Sequence, residues 1–95
     1  MVPIEDVYRQ IAEFAADAEA KQVLLFGSRA RGDNRPKSDI DLAIRGCADF
    51  DALKTKLNDE LWSLLKLDIV NMDEPISSEL RDEIDRDGVV LYEKI

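Results

Sequence analysis

The sequence predicts one α/β (α+β) domain over residues 1–95, a small mixed β-sheet flanked by helices. Three observations carry that expectation. Apolar residues recur at helical spacing in three stretches, four short apolar runs bounded by turn residues read as strands, and the two kinds of segment are interleaved along the chain.

Pro3 opens the first helix, in which Ile4, Val7, Tyr8, Ile11, Phe14, Ala15 and Ala18 recur at three- and four-residue steps. Val23, Leu24, Leu25 and Phe26 form a continuous apolar run ending at Gly27, the mark of a strand buried on both faces. Ser28 to Ser38 holds Gly32, Pro36, four basic residues and almost nothing apolar, so it reads as a loop with room for one helical turn. Asp39 to Ile44 alternates with period two, placing Asp39, Asp41 and Ala43 on one face and Ile40, Leu42 and Ile44 on the other. Asp49 is placed to cap a second helix of about four turns, whose apolar stripe is Phe50, Leu53, Leu57, Leu61 and Leu64. Leu67 to Val70 is the third strand. Ser77 or Ser78 caps a third helix with Leu80 and Ile84 inward and Gly88 as its stop, before a last strand from Val89 to Tyr92. A helix between the second and third strands makes them parallel neighbours, so Asp39, Asp41 and Asp68 should converge at one edge of the sheet.

Composition removes several functions. With 13 Lys and Arg against 21 Asp and Glu the formal net charge is −8, which opposes autonomous binding to duplex nucleic acid. There is no histidine and one cysteine, Cys47, so a disulfide scaffold, a Cys/His zinc site and a histidine base are all excluded. No apolar run approaches the ~18–20 residues of a membrane span, and the first ten residues lack a signal pattern, so the expected location is cytoplasmic with no membrane contact.

Residues 27–41 carry the chemistry. Two carboxylates at i and i+2 of a strand share a face, with Cα atoms about 6.5–7 Å apart. That suits a pair of divalent ions bridged by carboxylate oxygens, and hard oxygen donors favour Mg²⁺, or Mn²⁺, over zinc. Upstream, Gly27 lets the backbone turn sharply and approach a phosphate, Ser28 adds a hydroxyl, and Arg29 and Arg31 can supply positive charge. Gly27 and Gly32 have Walker A spacing, but Asp33-Asn34 stands where the lysine and hydroxyl residue belong. A haloacid-type phosphatase carries its Asp-x-Asp at the end of a strand rather than the start, and Asp-x-Asp glycosyltransferases need a far larger domain.

The run Gly-Ser-Arg-Ala-Arg-Gly followed by Ser-Asp-Ile-Asp-Leu-Ala-Ile resembles the minimal nucleotidyltransferases of the DNA polymerase β-like superfamily, small proteins usually paired with a HEPN-domain partner. The resemblance covers about Val23 to Asn71. It implies that Asp39, Asp41 and Asp68 bind two Mg²⁺ ions and form the catalytic set, and that Gly27 and Ser28 hold the β- and γ-phosphates of a nucleoside triphosphate. Arg29 and Arg31 are placed beside the phosphates. The implied activity is transfer of a nucleoside monophosphate, AMP from ATP, to an acceptor hydroxyl, with a HEPN-type toxin as partner and a tyrosine hydroxyl as acceptor. The alternative, from another class, is a binding subunit that inhibits its partner by occlusion with the metal site vestigial. Self-association, the nucleobase and the acceptor are not readable from the sequence.

The remaining residues take plainer readings. Arg35 and Lys37 lend loose electrostatic help, Ser38 fixes the backbone before Asp39, and Cys47 is an inert small residue. Trp62 is expected in the core. Asp82-Glu83 and Asp85-Arg86-Asp87 are expected on the wet face of the third helix.

Overall fold

A computed structural model describes residues 2–95 and contains the eight elements in a three-layer arrangement. They are α1 (Ile4–Asp17), β1 (Gln22–Phe26), the single turn α2 (Ser28–Arg31), β2 (Ile40–Arg45), α3 (Phe50–Glu60), β3 (Leu67–Asn71), α4 (Ser78–Asp87) and β4 (Val89–Glu93). The sheet order is β3-β2-β1-β4. β2 pairs antiparallel with β1 and parallel with β3, and β4 closes the other edge antiparallel to β1. The expected crossover helix therefore does join two parallel neighbours.

Strand alternation sorts the core into two clusters. Val23, Leu25, Ile40, Leu42 and Ile44 turn to one face, where Val7, Ile11 and Ala15 of α1 and Leu53 and Leu57 of α3 cover them. Phe26 and Ala43 turn to the other face, under Ile84 of α4 and beside Met72. The first strand is apolar from Val23 to Phe26 because both of its faces are covered. The N-cap side chains of Asp49 and Ser77 accept hydrogen bonds from the Ala52 and Leu80 amides, both at 3.1 Å.

Gly88 does end α4, but at φ −57° rather than in the left-handed conformation of a Schellman cap. Glycine is required there for room: a Cβ would lie 2.6 Å from the carbonyl oxygen of Ile84. Among the described residues no helix is long and apolar enough to cross a membrane.

Three expectations are corrected. The second predicted helix stops at Glu60, about three turns long, because Leu61 adopts an extended backbone (φ −67°, ψ 136°). Side chains then satisfy the departing amides: Trp62 N donates to Gln10 Oε1 at 2.7 Å, and Leu65 N to Ser63 Oγ at 3.1 Å. Leu64 consequently leaves the apolar stripe and is fully exposed, and Trp62 is 70% exposed rather than in the core. The third correction concerns the last helix. Asp87 is not on its wet face; its side chain is 5% exposed, and Glu83 is half-buried.

Candidate active site

The site begins where β1 ends. Phe26 is the cross-strand neighbour of Asp41, and the next residue, Gly27, turns the chain at φ 76°, ψ −155°, a conformation that only glycine adopts readily. Gly27 is buried, and a Cβ on it would overlap Oδ2 of Asp41. The Asp41 carboxylate thus rests on the Gly27 backbone, so glycine is demanded by torsion and by space together. α2 starts at Ser28, with Ala30 N and Arg31 N donating to the Gly27 carbonyl at 3.1 Å. The amides of its first two residues have no intrahelical acceptor. Gly32 ends the turn in the left-handed region (φ 86°) and returns the chain toward β2.

The parallel register of β2 and β3 sets Asp41 directly beside Asp68. Asp39 precedes β2 by one residue, two positions from Asp41. Asp39 and Asp68 are exposed and Asp41 is half-buried, so the structure brings all three predicted acids to one sheet edge. Their charges are felt at Asp41. Burial, then the carboxylates of Asp68, Asp39 and Glu83, push its carboxyl up to about 6, and Arg31 opposes them. An acid held above its ordinary range by burial and by neighbouring like charges is a place where a cation is stabilising. The donors are all hard oxygens, which fits magnesium or manganese. Among the described residues, no three His, Cys, Asp or Glu side chains are already drawn into a metal-holding cluster. The three acids share one field rather than a closed cage.

The arginines do different work from one another. Arg29 donates from Nε and Nη2 to the Ser38 carbonyl at 3.0 and 2.9 Å, and from Nη2 to the Pro36 carbonyl at 3.0 Å. It thereby fastens the segment that leads into Asp39, helped by Arg35 N donating to Ser38 Oγ at 2.9 Å. Arg31 pairs through Nη1 with Asp87 at 2.8 Å and through Nε with Asp33 at 3.1 Å. Asp87 also receives Arg86 at 3.0 and 3.1 Å. Hydrogen bonds from Arg86 and, against the effect of burial, from Arg31 hold the Asp87 carboxyl down at about 2. The end of α4 is therefore tied to the turn that carries Ser28.

Sequence reading did not find Asp87. A signal existed: an acid in the last turn of a helix opposes the helix dipole, so it is at its least stable there unless a cation answers it.

A family model for polymerase β nucleotidyltransferases matches residues 9–95. Over 31 residues the chain is 58% identical to a Methanocaldococcus jannaschii protein described as a candidate protein adenylyltransferase, covering 33% of this chain. The match spans 31% of that relative, less than a third of its length. Among solved structures, a toxin–antitoxin crystallised with AMP-PNP superposes with a TM-score of 0.72 at 25% identity, over 92% of this chain and 73% of that one. A candidate minimal nucleotidyltransferase gives 0.67 at 28% identity, over 90% of each chain. A complex of a tri-AMPylated Shewanella oneidensis HEPN toxin with its MNT antitoxin gives 0.66 at 22% identity, over 95% of this chain and 72% of that one, a likeness of fold.

Proposed function

The chain belongs to the polymerase β nucleotidyltransferase family, and from that premise we propose that it is a metal-dependent transferase moving AMP from ATP to an acceptor hydroxyl on a HEPN-type partner protein. The observation that carries the proposal is the pairing of Asp41 with Asp68 across parallel strands, with the Asp41 carboxylate lying against the Gly27 backbone. That arrangement sets the acids beside the Gly27 turn, which supports reading the turn as the phosphate-binding element. The likeness to a toxin–antitoxin crystallised with AMP-PNP supports the choice of nucleotide and partner.

In this reading Asp39, Asp41 and Asp68 hold divalent ions, which when bound neutralise the triphosphate and lower the pKa of the acceptor hydroxyl. The amides at the start of α2 and the Ser28 hydroxyl bind the β- and γ-phosphates. Arg31 adds positive potential while staying paired to Asp87 and Asp33, and Arg29 keeps the segment before Asp39 in place. The acceptor oxygen attacks the α-phosphorus, a new P–O bond forms, the bond to the bridging oxygen of the β-phosphate breaks, and pyrophosphate leaves. Asp68, the exposed member of the facing pair, receives the hydroxyl proton and passes it to water.

The test is transfer of label from α-labelled ATP, with Mg²⁺, to a HEPN-type protein supplied in trans. Label should appear on the protein with the native chain and disappear with Asp41→Asn, whose circular dichroism should be unchanged. Full transfer by Asp41→Asn would overturn the proposal. Inhibition of the HEPN protein that survives Asp41→Asn without any transfer would assign the chain to occlusion instead.

A further inference from the structure

Beside Asp39 the surface opens into a groove of about 1250 Å³, between the first half of α1 and the loop joining α3 to β3. Ile4 and Val7 line one side, and Leu61 and Leu65 the other. Trp62 and Leu64 stand on its lip, 70% exposed and fully exposed respectively. These are the side chains that the early end of α3 removes from the core. The polar lining runs against the charge of the whole molecule: Arg29, Lys37 and Lys66 face Asp39 alone, in a chain of net charge −8. Arg29 is engaged with backbone carbonyls, whereas Lys37 and Lys66 have no ion-pair partner among the described residues.

Size and lining decide the occupant. Pockets for small molecules run to about 1,000 Å³, and this groove is larger, open along its length and mainly apolar. A nucleoside would leave most of it wet. A peptide with apolar side chains would cover the two exposed apolar residues, a tryptophan on the lip being the kind of anchor that dominates protein interfaces, and acidic flanks would meet the two unpaired lysines. A second copy of this chain is the other candidate, and among the described residues its acidic surface offers, apart from Trp62 and Leu64 of the groove itself, only Val89, Val90 and Ile95 as exposed large apolar side chains, with no excess of acids matched to the groove's lysines around them in the sequence. We propose that the groove docks an apolar segment of the partner protein, flanked by acidic residues, and so delivers its acceptor hydroxyl to the edge of the site at Asp39. The inference rests on the transfer reading for its purpose, though the docking itself requires no chemistry.

Trp62 is the chain's one tryptophan, so its emission reports on the groove directly. The probe is a tryptophan-free peptide with a Leu-Tyr-Leu-Phe centre and aspartates at both ends, compared with its lysine-ended counterpart and with MgATP. The aspartate-ended peptide should shift Trp62 emission to the blue and bind about tenfold more tightly than the lysine-ended one. Lys37→Ala with Lys66→Ala should remove that preference. Leu64→Ser, at a fully exposed position that the fold does not need, should weaken the peptide about tenfold and leave MgATP binding, measured by calorimetry, unchanged. Absence of a blue shift, equal binding of both peptides, or an emission response to MgATP alone would overturn the proposal, the last assigning the groove to the nucleobase. A concentration-dependent blue shift without peptide, accompanied by dimerisation in sedimentation, would also overturn it in favour of a second copy. Because binding is read without turnover, the docking inference can fail while Asp41-dependent transfer stands, and the reverse holds too.

Discussion

Replacing Asp41 by asparagine should make the metal-free protein more stable while removing its activity. Folding places the Asp41 carboxyl in a half-buried position beside three other acids, and its pKa rises from 3.8 to about 6. A displacement of about two pH units would be worth ~3 kcal/mol for a sealed group. Asp41 is only half-buried and water screens it, which reduces the expected gain to about 1 kcal/mol. For a domain of this size that is a rise in Tm of about 4–8 °C. The pH dependence fixes the sign. The folded state binds the Asp41 proton more tightly than the unfolded chain, so this group costs the native protein stability above pH 6. The cost shrinks as pH falls through 6, and is gone below about 3.8, where both states are protonated. Asp41→Asn should therefore melt higher than the native chain in EDTA at about pH 7.5, with the difference vanishing near pH 4. Millimolar Mg²⁺ should raise the Tm of the native chain and leave the variant nearly unmoved. A variant that melts lower at pH 7.5, or keeps its advantage at pH 4, would refute the electrostatic account of the site.

Three further perturbations follow from the packing. Gly27→Ala should destabilise the protein by about 1–3 kcal/mol in urea unfolding, because it forces a positive φ and displaces the Asp41 carboxylate, and it should abolish transfer as well. Arg31→Ala and Asp87→Asn should each raise the KM for ATP more than they lower kcat, with the double variant no worse than either alone. Additive effects would show that the pair does not act as one tie. The Asp87 carboxyl is depressed to about 2, so the tie's contribution should be present above pH 3.8 and lost only as pH falls through 2. Ile84→Ala, at a side chain 1% exposed, should cost about 2–5 kcal/mol by opening a cavity under α4.

Periodicity made the layers legible. β1 announced itself as four consecutive apolar residues because α4 and α1 cover its two faces, and the alternation in Asp39–Ile44 revealed which face of β2 carried the acids. The convergence of Asp68 with Asp39 and Asp41 at one edge was legible because a helical crossover makes the two strands parallel, whereas the residue-for-residue pairing of Asp68 with Asp41 came from the structure. What the sequence concealed depended on competition between neighbours. Leu64 continues the apolar spacing of α3, yet Gln10 and Ser63 bid for the amides that one more turn of helix would have used. Periodicity has no access to a hydrogen bond offered from 52 residues away. Arg31 likewise reads as free charge in a basic loop, and only the three-dimensional return of α4 shows that its charge is already answered. Gly88 was legible as the stop of the last helix, but the reason only glycine fits, the Ile84 carbonyl that leaves no space for a side chain, is visible only in three dimensions.

The tie between Arg31 and Asp87 spans 56 residues, and β4, which follows the other three strands in the chain, lies beside β1. This order has a meaning for biosynthesis. In a nascent chain β1, β2 and β3 with their acids precede α4, and until α4 follows the turn bearing Ser28 is held through Arg29 but lacks the bond from Arg31 to Asp87. The turn gains that tie when Asp87 emerges and α4 settles over Phe26 and Ala43. Synthesis thus delivers the three acids before the residue that braces the turn beside them, and a chain stopped between Asp68 and Asp87 would carry the acidic cluster without the Arg31–Asp87 tie.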